Sequence, residues 1–132
     1  MRYKTISEKG AAAVEFAILL PILVLIVFGI TTFGFAYKEY ITVTHAARDG
    51  ARLAALGMDY DYIVDEIELD LPAEIIESID VEPLEPEDRV VGESVTVTVV
   101  RKPLDLKIPL FDIDPIELES TAEMRVEYNK PE

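Results

Sequence analysis

The sequence predicts an α+β protein: a long N-terminal transmembrane helix extends outside the membrane and is followed by a small helix and an antiparallel β-sheet. Three observations carry this. From Phe16 to Tyr37, 22 residues pass without a charge, and at about 1.5 Å per residue they make roughly 33 Å of helix, enough for one bilayer crossing. The run continues into alanine-rich sequence up to Gly57, so the helix is expected to reach Leu56. Beyond it, SVTVTVV (residues 94–100) and IELESTAEMRVEY (residues 116–128) alternate with a period of two, as half-buried strands do.

The membrane segment is placed at about residues 16–37. Pro21, Gly29 and Gly34 lie inside it, but both residue types are more frequent in membrane helices than in soluble ones. Arg2, Lys4 and Lys9 precede it, against Glu8 and the rim residue Glu15, so the N-terminus is expected in the cytoplasm and the rest outside the cytoplasmic (inner) membrane. From Asp59 to Glu132 there are 22 acidic residues against 6 Lys and Arg, which argues against nucleic acid as a partner. The chain has no cysteine, which removes disulfides and thiolate metal sites from consideration. A cleavable secretory signal fits poorly. Its small residues should follow the apolar run, whereas Ala11 to Ala13 precede it, and the run is about twice as long as such signals carry. A plain uncleaved anchor stays open.

MRYKTISEKG followed by AAAVEF resembles a class III prepilin signal: a short basic leader ending in glycine, four small or apolar residues, a glutamate and an aromatic. The resemblance implies that a prepilin peptidase, a membrane-embedded aspartic protease, cuts between Gly10 and Ala11 on the cytoplasmic side. It makes residues 1–10 a leader peptide, and Glu15 with Phe16 the family's assembly and recognition pair. Glycine at the cut has a physical reason, since a residue without Cβ enters a tight site with little steric cost. Cutting creates an α-amino group on Ala11 that is largely protonated at neutral pH. Glu15 lies four residues on, on the same helical face, where it can meet that amine or the amine of a neighbouring subunit. The alternative is a carboxylate at the membrane rim that snorkels into water.

After the span, Phe33, Phe35, Tyr37 and Tyr40 supply interfacial aromatics and Lys38–Glu39 ends the apolar zone. A helix over 11–56, with small residues on one face, suits close packing against other helices or serves as a stalk. AARDGARLAA (residues 46–55) extends the resemblance to TadE-like proteins, pseudopilins of tight-adherence (Flp-type) pilus systems. That family implies a filament or secretion role with other pilins or pseudopilins and an assembly platform as partners. Arg48 and Arg52 are four apart with Gly50 between them: a cationic patch for a partner's carboxylates, or a pair of side chains neutralised by the acidic domain. His45 has no clustered ligands and reads as a helix-surface residue.

The remaining residues, 57–132, read as an acidic extracytoplasmic α+β domain. Asp59–Leu71 places Ile63, Ile67 and Leu71 at helical spacing, and Pro72–Ile79 is expected to extend or restart that helix. Ile79–Leu84 is a weaker third strand. EPEDRVVGE reads as a loop, and KPLDLKIPLFDIDP (residues 102–115) as an irregular connection punctuated by prolines. Asp59, Asp61, Asp65 and Glu66 approach a calcium loop, but Ile63 and Val64 stand where it needs an oxygen ligand and glycine. No metal or cofactor is expected, beyond a loose affinity of clustered carboxylates for calcium. No phosphate loop, cysteine nucleophile, placed triad or HExxH is present, so a non-enzymatic role is expected. Two classes remain: a processed pseudopilin or minor pilin, and an uncleaved membrane-anchored accessory protein whose acidic domain binds a partner.

Overall fold

The computed structural model describes the chain from Glu8 to Tyr128; Arg2 and Lys4 of the basic flank lie outside the described residues. Helix α1 runs over Glu8–Ala55 and helix α2 over Tyr60–Asp70. A 3-10 turn, Ala73–Ile75, leads into strand β1 (Ile76–Glu82), and a second, Pro86–Asp88, follows that strand. Strand β2 (Ser94–Leu104), a short hairpin of β3 (Lys107–Ile108) and β4 (Phe111–Asp112), and strand β5 (Ile116–Arg125) complete the fold.

Helix α1 stops where backbone chemistry stops it. Gly57 adopts φ of 76°, its N–H donates to the Ala54 carbonyl, and the Met58 N–H reaches back to Leu53. That pair of bonds is a Schellman motif, which a glycine in the left-handed region makes without strain. Asp59 then caps α2, its carboxylate accepting from the Tyr62 N–H at 3.3 Å, and Asp61 sits in the first turn where the helix dipole favours an anion. Two members of the acidic run thus have local structural work.

The sheet has the order β1-β2-β5, antiparallel throughout. Its inner face carries Val95, Val97 and Val99 of β2, Ile79 and Val81 of β1 and Leu118 of β5, all buried. The register aligns them: Ile79 and Val81 face Val99 and Val97, and Arg101 faces Leu118. The outer face is polar, with Thr98 and Thr121 paired at 3.0 Å, the alternation of a sheet covered on one side.

Helix α1 covers that inner face. Val43, Ala46, Ala47, Ala51, Ala54 and Ala55 are buried in one cluster with the sheet valines and with Ile63, Ile67 and Leu71 of the α2 region. The alanine face of residues 46–55 is therefore the seam between helix and domain within one chain, and that part of the helix has no small-residue face left for another subunit. Small side chains bring helix and sheet backbones close, and the β-branched valines fill the space between.

Two expectations for the domain are corrected. Residues 76–79 are strand rather than the helical extension expected over Pro72–Ile79, because β1 needs Ile76 and Ile79 as partners for Arg101 and Val99 of β2. Residues 107–112 form a hairpin inside the stretch expected to be irregular, with Lys107 opposite Asp112 and Ile108 opposite Phe111.

Candidate functional site

Helix α1 has two surfaces of different character along its length. From Ala11 to Val24 every residue is exposed, including Phe16, Leu19, Leu20, Ile22 and Leu23. Among the described residues it is the one helix long and apolar enough to cross a membrane. Gly10 and Ala11 lie in its opening turn, with open space around Gly10, so a protease would have to unwind that turn to reach the Gly10–Ala11 bond. Glycine lowers the cost of doing so, being about 1 kcal/mol poorer than alanine in a helix. Glu15 and Phe16 are exposed on the next turn, and Glu15 makes no ion pair among the described residues.

Where the helix leaves the apolar zone, a charge pair ties it to the sheet. Glu39 and Arg101 are largely buried, at 13% and 10% side-chain exposure, with Arg101 Nε 3.3 Å from Glu39 Oε2. The contact is ionic rather than hydrogen-bonded: Nε has no aligned acceptor, while Nη1 donates to the Lys102 carbonyl at 3.0 Å. Lys38, 4.0 Å from Glu39 and 73% exposed, adds little by comparison.

The three residues of the proposed contact patch separate. Arg48 and Arg52 are exposed on one face and, among the described residues, form no ion pair with the acidic domain. Gly50 is buried on the opposite face and is not part of that patch: a Cβ built there would lie 2.9 Å from Ile67 Cδ1 and 3.1 Å from Val97 Cγ1. The physical reason is the 100° step of the helix, which sends residues 48 and 52 one way and residue 50 the other. Gly50→Leu should cost about 3 kcal/mol of stability by overpacking, with Gly50→Ala milder because a gain in helix propensity offsets the crowding. Chemical denaturation of the detergent-solubilised chain checks this; an unchanged midpoint for Gly50→Leu would show that the seam is loose.

At the far end of α1 lies a residue of the loop EPEDRVVGE, residues 85–93. Arg89 is fully buried. Its guanidinium donates to four backbone carbonyls: Nε to Pro83 at 3.0 Å, Nη1 to Ala54 at 3.2 Å and Met58 at 2.6 Å, and Nη2 to Leu84 at 2.7 Å. Ala54 belongs to the last turn of α1, where a cation also answers the negative end of the helix dipole. Burial pulls the Arg89 pKa below its ordinary value while Glu85 and Asp59 push it back up, and an arginine keeps its charge at neutral pH under such opposing influences. One signal pointed to it: Arg89 is the sole Lys or Arg between Arg52 and Arg101.

An acidic cleft of about 710 Å³ lies beside this knot, lined by Asp59, Asp61, Asp80, Glu82 and Glu85 together with Tyr60. Tyr60 spans its floor, donating to the Ile79 carbonyl at 3.0 Å. Among the described residues no group of three or more His, Cys, Asp and Glu is arranged to hold a metal. His45 is exposed on α1.

No curated protein and no solved structure matches the chain. Residues 10–52 match the family model described as TadE-like protein. The match opens at Gly10, covers the exposed apolar half of α1, and ends at Arg52 on the helical segment that packs against the sheet. Over that helix, about a third of the chain, the protein is similar to the TadE-like family, consistent with a pilin-related, single-pass membrane protein.

Proposed function

We propose that the chain is a TadE-like pseudopilin or minor pilin, held in the cytoplasmic membrane with its N-terminus inside and its acidic domain outside. A prepilin peptidase cuts it after Gly10, and it takes part in assembling a Flp/Tad-type pilus or a related secretion machine. The observation that carries this is the division of α1. Its C-terminal turns are used up in the core of its own domain, while residues 11–24 are exposed, mostly apolar helix without a partner among the described residues. Such a surface is covered by lipid before assembly and by other helices after it. The domain then rides as a head on a helix that extends into the membrane, and Arg48 and Arg52, without an ion pair to the acidic domain among the described residues, face outward for carboxylates of a neighbouring pilin or of the assembly platform. The role is non-enzymatic, and no cofactor is needed for it.

The intact mass and N-terminal residue of the protein extracted from its native membranes test the reading. A chain beginning at Ala11 is the expected result. A chain that retains its leader in cells with an active prepilin peptidase would replace it with the uncleaved anchor, whose acidic cleft and outer sheet face recruit a partner.

A further inference from the structure

We infer that the β3–β4 hairpin is a second membrane contact, a loop that lays Leu110 and Phe111 into the bilayer interface beside the spanning helix. This rests on reading α1 as a membrane span. Strand β2 leaves the Glu39–Arg101 pair, and the residues that follow it, Asp105, Leu106 and Lys107, share a groove with Phe28, Thr31, Thr32 and Phe35 of α1. Those helix positions lie within the uncharged run that closes at Tyr37. Counting inward from Tyr37, these positions run from about 3 Å at Phe35 to about 14 Å at Phe28 along the helix axis, centred on the depth of about 5–10 Å to which interfacial elements sink. The hairpin therefore sits at the level of the lipid headgroups and the outermost acyl carbons.

Its own chemistry matches that level. Leu110 is 88% exposed and Phe111 60% exposed, while Asp105, Lys107, Asp112 and Asp114 flank them in sequence with the charges an interfacial loop keeps at the headgroups. The turn is Pro109–Leu110, with Leu110 at φ of 72°. Proline followed by a positive φ is the pattern of a type II turn, whose second central position favours glycine or asparagine. A leucine there carries backbone strain and, at its present exposure, buries almost nothing within the chain. Lipid supplies the burial that the fold does not. The occupant is assigned as lipid rather than protein because the hairpin adjoins the span, where the bilayer is already present.

The chain contains no tryptophan, so single tryptophans report position in the full-length protein reconstituted into phosphatidylcholine vesicles brominated at shallow or deep acyl positions. Phe111→Trp is expected to show blue-shifted emission and quenching, stronger from the shallow bromine. Phe28→Trp should be quenched as part of the span, and Val91→Trp, in the loop near the C-terminal end of α1, should not be. Leu110→Asn, which tolerates the left-handed turn, should weaken quenching at position 111 without lowering domain stability. Water-like emission from Phe111→Trp beside a quenched Phe28→Trp would overturn the proposal while leaving the span intact. Blue-shifted emission without bromine quenching would assign the tip to a protein neighbour instead, and unchanged quenching in Leu110→Asn would remove Leu110 from the contact. Failure of Phe28→Trp to be quenched would take away the span and the hairpin contact together.

Discussion

Arg89→Met is expected to lower the unfolding free energy by about 3–5 kcal/mol. The substitution keeps most of the side-chain volume but leaves the carbonyls of Pro83, Leu84 and Met58 without the donor that now serves them, while Ala54 keeps its bond from the Gly57 N–H. A buried polar group left unpaired costs about 1–3 kcal/mol. The several groups involved bring the loss into the range seen when a buried charged contact is broken. Small domains have only about 5–15 kcal/mol to lose, so the variant should be close to unfolding at growth temperature. Arg89→Lys should recover little, because an ammonium on a flexible stem cannot span acceptors that a planar guanidinium reaches as a fork. Hydrogen exchange gives the specific readout: protection should fall first at the end of α1 and in residues 83–93, with the β2–β5 pairing lost only in global unfolding. An unfolding midpoint equal to the parent's would mean that water replaces the guanidinium without loss.

That knot also shows where the sequence ceased to be legible. The long apolar helix, its end at a glycine, helix α2 and strands β2 and β5 were readable because each has a local cause: an uncharged run, a glycine stop, apolar residues at helical spacing or an alternation. Ile76–Glu82 was harder, since IIES supports either a helical or a strand period. Its state is decided by β2, a partner far along the chain. The same applies to the alanines of residues 46–55. Their spacing shows a face that packs closely, but nothing local says whether its partner is another subunit or the chain's own valines. Gly50 was singled out for its place between two arginines, and the structure explains it by the space between Ile67 and Val97. Arg89 and Leu110 lie in loops, where the contacts of a guanidinium and a positive φ leave little trace in sequence pattern.

Glu15→Ala is expected to leave insertion, cleavage and domain stability unchanged while reducing incorporation into filaments by roughly 100-fold. The first half follows from geometry, because Glu15 is exposed and has no ion-pair partner among the described residues. The second follows from electrostatics. At the membrane rim the carboxylate stays near water, and its desolvation costs little. Drawn into a bundle of apolar helices such as residues 16–24 present, an unpaired ionised carboxylate costs several kcal/mol. The amine created at Ala11 removes that cost: two unit charges about 4 Å apart attract by about 4 kcal/mol at an effective dielectric of 20. Alanine strands the amine of the partner instead of the carboxylate, so the deficit remains, and a deficit near 3 kcal/mol is about a hundredfold in association. Glu15→Gln separates charge from hydrogen bonding and should fall between the two. Sheared filaments quantified against the membrane pool give the measurement. Normal incorporation of Glu15→Ala, with cleavage at Ala11 verified by mass, would leave Glu15 as a rim residue and shift the burden of recognition to the exposed Arg48 and Arg52.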